Sequence, residues 1–510
     1  MSDRVLILPL TIPLITRLPN DHPIKLLRQG HGICTKSRVA YSLNKVTKNI
    51  IFGDGRMTTK TETLATFASE LKFEDIPSEI VERTKDCIID TIAACTFGSE
   101  LPWSQMMIKH ALTTSGSGNV SIFGPEGYKV QPAMAALANG LLSHSFELDS
   151  LRMPSAGMHA GASIVPCAFG MGQEMAASGK DVITAFTAGI EVLTRIAQSS
   201  NHSSEDIGFH NPGINGGFGG GMAAGYLMGH SPEQMTNTLG IAGSLCSGLL
   251  EFAMSGTGGM VKRLHLGRAA ESGILAATLA REGFTGPNTV LEGKFGWMNV
   301  FCRGALEEKL TEELGRRWDA ERIVFKRFSC HITSHTPVQG ILDMQAEYGF
   351  SGDDVAKILL EGDKKCGTHH DIPEPADVML GQYSNNFCIA LALFKDPRDP
   401  RNFSQESIED PKIREVCRNV EIRELPEADK FEYALGSRLT VTLKDGRTLK
   451  HDAPSFKGLP IDPLDRASLW EKFSRLCYRL GEKEAKRLFD QLCNLDDIKD
   501  ISKLDVTGKV

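Results

Sequence analysis

The sequence predicts a mainly α-helical fold, in which a large multi-helix domain is built from two segments of the chain and a smaller α+β lid domain is inserted between them. Three observations support this architecture. Segments with the helical spacing of apolar and small residues fill the chain from Thr61 to about residue 321. Short β-prone segments then follow one another, and charged amphipathic helix returns after Pro463.

The length of the chain also indicates more than one domain, because 510 residues are too many for a single hydrophobic core. The changes in pattern place the first segment of the helical domain at residues 57–321, the lid domain at residues 322–460, and the C-terminal segment of the helical domain at residues 461–510. A cleft between such domains is a common place for a small-molecule site.

The first 56 residues differ from the rest of the chain. Between Met1 and Ile50, eight Lys and Arg residues stand against two acidic ones, and no helical period is sustained. This composition fits a mitochondrial transit segment, although such segments are amphipathic and rarely rich in proline. Met57 offers a suitable start as well, so an upstream extension is the second interpretation. Both interpretations leave residues 1–56 outside the fold, and the location is expected to be cytoplasmic or mitochondrial.

The helices of the first segment are predicted, in chain order, from helix-start residues and from the spacing of apolar residues. Pro77 and Ser78 supply a helix start before an apolar stripe. Further helices are predicted at residues 131–148, 163–177, 182–197 and 216–228. The last segment is so rich in glycine that it requires close packing against its neighbours, since each glycine otherwise costs a helix about 1 kcal/mol.

The lid domain is predicted from short β-prone segments at residues 322–330, 355–360, 420–423 and 438–442. In the last of them apolar and polar residues alternate, as in a strand with one buried face. Asp445-Gly446 then supplies the tight turn of a hairpin.

Composition excludes several classes of function. A net charge of -7 argues against nucleic acid as the main partner, because binding phosphates needs a basic face. The 12 cysteines include no C-x-x-C pair, so a zinc ribbon or dithiol redox motif is not indicated. No apolar run approaches the roughly 18 residues of a membrane span, so no membrane partner is expected.

The most informative motif is a glycine-rich stretch at residues 256–259 that leads into Met260-Val261-Lys262-Arg263 and a helix. A helix N-terminus carries unpaired N–H groups and the positive end of the helix dipole, so it attracts carboxylates and phosphates. With Lys262, Arg263 and His265 at that end, the segment predicts an anion pocket. The alternative is a glycine-rich turn before an ordinary helix with a solvated basic pair.

Three further clusters carry groups suited to carboxylate binding and proton transfer. They are Glu147 and Asp149 followed by His159, His210 before Asn-Pro-Gly, and His331 with Tyr383 in the lid domain. Each also has a structural interpretation, with the histidines at helix starts or turns, the carboxylates solvated, and the tyrosine a packed aromatic. The run His369-His370-Asp371 is interpreted as a surface loop, because adjacent residues rarely converge on one metal ion.

Together these residues resemble the MmgE/PrpD family, which contains 2-methylcitrate dehydratases and cis-aconitate decarboxylases, and they are most similar to its fungal cis-aconitate decarboxylase branch. The resemblance covers about Thr61 to Asp497. It is carried by Asp75-Ile76-Pro77-Ser78, Glu82-Arg83, Asp90, Pro102-Trp103-Ser104, Glu147-Leu148-Asp149, Met158-His159, Pro166, Phe209-His210 and Gly258-Gly259-Met260-Val261-Lys262-Arg263.

The resemblance implies a homodimer and a pocket between the helical domain and the lid that works without metal or organic cofactor. It also implies that particular residues of both domains line this pocket. These are His159, His210 and Lys262 in the helical domain and His331 and Tyr383 in the lid, with Glu147 at a position where the family often carries Asp.

The chain departs from the family pattern between Asp149 and His159, where its loop is one or two residues longer than usual. Leu151 stands near the place of a hydroxyl residue, and Arg152 is unexpected there. A more apolar wall with an arginine suggests a citrate-like acid that bears an alkyl chain.

The resulting hypothesis is a cofactor-independent lyase for a citrate- or aconitate-type tricarboxylate, with dehydration of a 2-methyl- or longer alkyl-citrate as the preferred reaction. Decarboxylation of cis-aconitate to itaconate or an alkyl-itaconate-type product is the alternative, and a non-catalytic binding or scaffold protein is the second alternative. The catalytic candidates are His159, His210, Lys262, His331 and Tyr383, and the substrate-binding candidates are Glu147, Asp149, Arg152, Arg263 and His265.

Overall fold

The computed structural model describes residues 57–153, 158–255, 259–431 and 435–507. The basic segment of residues 1–56 lies outside these ranges. So do residues 256–258 of the glycine-rich stretch and residues 154–157 of the loop before His159.

Helices form most of the described chain. In chain order they are α1 (Lys60–Glu70), α2 (Ser78–Gly98), α3 (Pro102–Thr114), α4 (Pro132–Ser143), α5 (Ala160–Glu174), α6 (Gly179–Ser199), α7 (Ser203–Asp206), α8 (Asn211–Leu227), α9 (Pro232–Ser244), α10 (Val261–Arg281), α11 (Trp297–Phe301), α12 (His335–Tyr348), α13 (Lys364–Thr368), α14 (Val378–Gly381), α15 (Asn385–Phe394), α16 (Gln405–Glu409), α17 (Pro411–Arg418), α18 (Arg466–Leu476) and α19 (Glu482–Cys493). The predicted helices of the first segment are confirmed, with ends that differ by a few residues.

Short strands complete the fold. They are β1 (Val120–Ser121), β2 (Lys129–Val130), β3 (Leu151–Arg152), β4 (Ile323–Val324), β5 (Val355–Gly362), β6 (Val420–Glu424), β7 (Ser437–Leu443) and β8 (Thr448–Ala453). The mainly α-helical fold with a smaller α+β part is therefore confirmed.

The glycine-rich helix α8 lies at the centre of the helical part, packed against α5, α6, α9 and α10. A Cβ atom on Gly216 would lie 2.9 Å from the Cβ atoms of both Ala269 and Ser163. That distance is shorter than side chains tolerate, so a larger residue would push α10 and α5 away from α8. The prediction that this helix packs closely is confirmed, and the close packing brings the helix ends near one another.

The C-terminal helices return to the first segment. Both α18 and α19 pack on α2, and Lys472 of α18 forms a buried ion pair with Asp90 of α2. The helical domain is thus made from two segments of the chain, as predicted. The residue boundaries proposed for the three segments remain a prediction.

The sheet of the lid has the strand order β6-β5-β7-β8, with β5 parallel to β6 and antiparallel to β7. β7 and β8 form the predicted hairpin, and Gly446 in its turn has a φ of 91°, which glycine adopts without strain. The helices α12, α15 and α17 pack on or beside this sheet.

The strand predicted at residues 322–330 is much shorter in the structure. Only Ile323 and Val324 are in a strand, where they pair with Leu151 and Arg152 of β3. Phe325 instead donates its backbone N–H to Gly458, 2.9 Å away, so the chain leaves the ladder there.

Among the described residues, none of the helices combines the length and the apolar character that a membrane crossing requires.

Candidate active site

Three helix N-termini carry predicted site residues. His159 is the N-cap residue of α5, His210 is the N-cap residue of α8, and Lys262 lies in the first turn of α10. These three helices pack on one another. Their unpaired N–H groups and dipoles therefore favour negative charge in this region.

The loop that follows α4 contributes the carboxylates. Glu147 has a φ of 54°, a left-handed conformation that is uncommon for residues other than glycine. Two long-range hydrogen bonds hold the loop, since the Gln382 side chain donates to the Phe146 carbonyl at 3.0 Å and Lys472 donates to the Leu148 carbonyl at 2.8 Å. The lid part and α18 therefore both position this loop.

Glu147 is the centre of a buried cluster of charged and polar groups. Its carboxylate accepts hydrogen bonds from Lys262, from Lys326 at 2.7 Å and from the hydroxyl of Tyr383 at 3.2 Å, and Lys262 also contacts that hydroxyl. Burial opposes the charge of Glu147, but Lys262 and Lys326 outweigh it and hold the pKa of Glu147 well below its usual value. Burial and the negative charge of Glu147 raise the pKa of Tyr383, so its phenol stays protonated.

Asp149 lies between two imidazoles. Its Oδ2 is 3.0 Å from Nδ1 of His144 and 2.8 Å from Nδ1 of His159. Burial alone would raise the pKa of Asp149, but the two histidines hold it well below its usual value. Burial lowers the pKa of His144 to about 4, so this histidine is neutral at pH 7 and donates its Nδ1–H to the carboxylate.

The histidines continue as a row across the helix N-termini. The ring centroids of His144 and His159 are 4.5 Å apart, and those of His144 and His210 are 6.4 Å apart. Nδ1 of His210 lies 2.9 Å from Nδ1 of His265, so one ring donates and the other accepts. Burial and the charge of Lys262 lower the pKa values of His210 and His265, which keeps both rings neutral at pH 7.

The lid residues stack beside the Glu147 cluster. The ring centroids of His331 and His370 are 4.2 Å apart, and that of Tyr383 is 5.3 Å from His331. Nδ1 of His370 lies 2.9 Å from the Tyr383 carbonyl. His369 is exposed but His370 is buried, so the interpretation of this run as a surface loop is wrong for His370, which packs against His331 and Tyr383 within the lid.

The remaining predicted residues take different positions. Arg152 is buried and paired with Asp319, which also interacts with Arg195, so the contacts described for it belong to an ion-pair network beside β3. Arg263 donates from Nη1 to the Gly259 carbonyl at 2.8 Å, and its Cζ lies 5.8 Å from the centroid of the Trp103 ring.

A metal ion has one possible position in the described part of the chain. The ligand atoms of His144, Asp149 and His159 all lie within 4.8 Å of one another. Imidazole and carboxylate ligands suit zinc and related metals. His144 and Asp149 are joined by a hydrogen bond of 3.0 Å, whereas Nδ1 of His159 contacts Asp149 at 2.8 Å without hydrogen-bond geometry.

Three side chains of the site were not predicted from the sequence: His144, Lys326 and His370. Lys326 had the clearest signal, since the basic pair Lys326-Arg327 interrupts the apolar Val324-Phe325 and Phe328, and a buried lysine requires a carboxylate partner. His144 lies three residues before Glu147, at the end of a helix with few polar residues. The five catalytic candidates lie in one neighbourhood, and their roles remain predictions.

The site can bind an anion and move protons. One carboxylate shared by two lysines leaves net positive charge in a buried place, where electrostatic stabilisation is strong. His159, whose Nδ1 lies 2.8 Å from the ionised Asp149, is placed to exchange a proton with a bound molecule. The phenol of Tyr383 adds a proton donor from the lid.

Two family models match consecutive parts of the chain. The model described as the MmgE/PrpD N-terminal domain matches residues 62–309, and the model described as the MmgE/PrpD C-terminal domain matches residues 328–496.

Curated relatives match most of the chain at low identity. A cis-aconitate decarboxylase of Aspergillus terreus is 28% identical over 472 residues, which cover 87% of this chain and 94% of the relative. The cis-aconitate decarboxylase of Homo sapiens is 26% identical, with 87% of this chain and 93% of the relative covered. A cis-aconitate decarboxylase-like protein of Aspergillus oryzae is 25% identical, with 87% and 96% covered.

Proposed function

This chain belongs to the MmgE/PrpD family, and from that premise we propose that it is a lyase that acts on a citrate- or aconitate-type tricarboxylate without metal or organic cofactor. The observation that carries the proposal is the buried Glu147 cluster, which holds two lysines and a lid tyrosine beside a row of histidines. Cations stabilise the negative charge that develops when a C–C or C–H bond next to a carboxylate breaks.

Decarboxylation of cis-aconitate is the reaction that we place first. The relatives at 25–28% identity carry cis-aconitate decarboxylase in their names. The preference for an alkylated citrate depends on Leu151 and Arg152 lining the substrate pocket. Leu151 is buried in an apolar cluster with Val324 and Phe456, and Arg152 pairs with Asp319, so this basis for an alkyl-binding wall is weak.

The reaction requires one C–C bond to break and one proton to be added. The bond between the methylene carbon and its carboxylate breaks and releases carbon dioxide. Its electron pair forms a new double bond to the central carbon, and the pair of the old double bond takes a proton at the far carbon. The product is an itaconate-type dicarboxylate.

Named residues serve each part of this step. Lys262, held by Glu147 and Tyr383, stabilises the negative charge that spreads onto the remaining carboxylate. His159 supplies the proton, and its Nδ1 lies 2.8 Å from the ionised Asp149, which orients the ring. His331 and Tyr383 close the site from the lid and exclude water.

Dehydration of a citrate or alkylcitrate is the second candidate, and the paired imidazoles favour it. A dehydratase needs a base for the proton next to a carboxylate and an acid for the departing hydroxyl. His159 and His210, linked through His144, offer two such groups. The negative charge would again fall beside Lys262.

The test is incubation of the purified protein with cis-aconitate, 2-methylcitrate and a longer alkylcitrate. Released carbon dioxide and itaconate are the expected products from cis-aconitate, whereas an unsaturated tricarboxylate without carbon dioxide would favour dehydration. If the folded protein turns over none of them, the lyase proposal fails. Tricarboxylates that raise the melting temperature without turnover would favour the binding or scaffold alternative.

The location that we propose is cytoplasmic or mitochondrial, on the basis of the basic composition of residues 1–56. Mass spectrometry of the native N-terminus, together with fractionation of cells, distinguishes a removed transit segment from a chain that starts near Met57.

A further inference from the structure

Arg263 is a buried cation with donors that lack partners. It is the third residue of α10 and only 3% exposed. Nη1 donates to the Gly259 carbonyl, but within the described ranges Nε and Nη2 have no hydrogen-bond partner. A guanidinium stays charged at any physiological pH, and burying a charged donor without a partner costs several kcal/mol. Such a group indicates a ligand that completes it.

The two unpartnered nitrogens define what that ligand is. Nε–H and one N–H of Nη2 point in the same direction along one edge of the planar guanidinium. This edge matches the two oxygens of a carboxylate, which form a pair of parallel charge-assisted hydrogen bonds with it. Lysine cannot provide this geometry, because its charge is carried on one nitrogen.

Trp103, in the first turn of α3, supplies an independent observation at the same place. Its ring centroid lies 5.8 Å from Cζ of Arg263. Its indole Nε1–H is buried and, in the described chain, also has no acceptor. An indole nitrogen is only a donor, so both side chains require an acceptor.

The neighbouring lysines are already occupied. Lys262 and Lys326 both pair with Glu147. A substrate carboxylate that took either lysine as its direct hydrogen-bond partner would compete with Glu147, although Lys262 can still stabilise charge that develops nearby. Arg263 acts on the same cluster, since its charge helps to lower the pKa of Glu147 and of the Tyr383 phenol. It is therefore near the reacting groups and still able to accept a ligand.

From these observations we infer that the Nε and Nη2 edge of Arg263, with the indole N–H of Trp103, binds one carboxylate of the substrate. Lys262 and Arg263, the two basic residues in the first turn of α10, then have different roles. Arg263 holds a carboxylate that is present before and after the reaction, and Lys262 stabilises the charge that forms during it. This inference rests on the proposed function, because it assigns one carboxylate of that polycarboxylate substrate.

The experiment measures binding of tricarballylate, a tricarboxylate without the hydroxyl or double bond that would allow turnover, by isothermal titration calorimetry. Arg263→Lys keeps the positive charge but removes the two parallel N–H donors of Nε and Nη2, and we expect it to weaken binding at least tenfold. Trp103→Phe keeps an aromatic ring, although a smaller one, but removes the indole N–H, and we expect about a threefold to tenfold loss. Arg268→Lys changes a partly exposed arginine on the same helix and leaves binding unchanged.

Two dicarboxylates identify the carboxylate concerned. Glutarate lacks the central carboxylate of tricarballylate, and methylsuccinate lacks one terminal carboxylate. One of them is expected to bind wild type and Arg263→Lys equally, because it lacks the group that Arg263 holds. With a substrate that turns over, Arg263→Lys raises KM and leaves kcat within about threefold.

The outcomes separate this inference from the proposed function. If wild type binds tricarballylate and folded Arg263→Lys and Trp103→Phe bind it equally well, the inference is overturned and the lyase proposal stands. A loss of the same factor for all three ligands also overturns it, because the effect is then general. If wild type binds no tricarboxylate, the proposed function itself fails, and the inference falls with it.

Discussion

Among single residues, Glu147 determines the charge balance of the site. Its carboxylate neutralises one of the two lysines that contact it, so the cluster remains cationic while each buried charge has a partner. A buried charge without a partner is strongly destabilising, whereas a paired one is tolerated. The left-handed backbone at Glu147 places the carboxylate between both lysines at some cost in strain.

Replacing Lys262 by alanine tests its assigned role. We expect kcat to fall at least about 100-fold, because an electrostatic contact made in the transition state is lost. Glu147 keeps Lys326 and Tyr383 as partners, so the fold should persist. Turnover of cis-aconitate measures the effect, with the melting temperature as a check on folding. Arg268→Ala on the same helix is the control, and a near-wild-type rate for Lys262→Ala would contradict the role.

His144 makes the stability of the protein depend on pH. Burial lowers its pKa from 6.5 to about 4, so between these values the unfolded chain takes up a proton that the folded site refuses. Above pH 6.5 His144 is neutral in both states and does not lower the free energy of unfolding. As the pH falls from 6.5 to 4, its protonation in the unfolded chain lowers the free energy of unfolding by roughly 3 kcal/mol. Urea unfolding at a series of pH values should show a shallower acid decline for His144→Gln than for wild type.

The control for this measurement is His369→Gln, because His369 is exposed. Other buried histidines contribute equally to both proteins and cancel in the comparison. Identical slopes for His144→Gln and wild type would show that His144 does not titrate as its burial implies.

Removal of metal ions tests the proposal that the site works without them. Asp149 is in direct ion-pair contact with both imidazoles, so the charges balance without a metal and dialysis against a chelator should leave kcat unchanged. Added zinc should inhibit instead, since it would occupy His144, Asp149 and His159. Loss of activity on chelation, restored by one metal, would disprove cofactor independence.

At the scale of elements, the fold places polar groups at helix ends and leaves the helix interiors apolar. The small residues of α5, α8 and α10 let their axes approach closely, which brings three N-termini to one place. The sequence indicated this much, because glycine-rich helices and N-terminal histidines are local patterns. It did not indicate which loop would face the three N-termini, since that depends on the packing of α4 and the lid.

Lys472 shows how a late helix supports the site. Lys472→Met leaves Asp90 buried and unpaired, and we expect a loss of about 3–5 kcal/mol in the free energy of unfolding. Adding Asp90→Asn should recover much of that stability. Activity should stay low in both variants, because the carbonyl between Glu147 and Asp149 has lost its donor. Urea unfolding and turnover measure the two effects separately.

Lys486→Met on α19 is the matched control, because its side chain is half exposed. It should change neither stability nor activity appreciably. Recovery of full activity together with stability in the Lys472→Met, Asp90→Asn double variant would show that Lys472 has only a structural role.

At the scale of the whole molecule, the site depends on contacts between parts of the chain that are far apart in sequence. Tyr383 and Lys326 reach Glu147, and Gln382 holds the loop before it. A lid that moved away would leave Glu147 with Lys262 alone. The part of the chain that forms the lid is therefore needed to complete the site.

The family resemblance implies a homodimer, and we predict one in solution. Light scattering coupled to size exclusion should give twice the mass of one chain across a hundredfold range of concentration. Exposed apolar side chains such as Phe284 and Phe295 are suitable contacts for a second copy. A monomer at all concentrations that retains full activity would contradict this prediction.

The sequence was sufficient for the helices, the hairpin at Asp445-Gly446, and the histidines and lysine at helix starts, because spacing, capping and turn preferences act over a few residues. It was not sufficient for the partners of the charges. Lys262 and Lys326 lie 115 and 179 residues from Glu147, and a charge can pair with any opposite charge that packing brings within reach. Only folding therefore paired Arg152 with Asp319 and Lys262 with Glu147, and left Nε and Nη2 of Arg263 without a hydrogen-bond partner among the described residues.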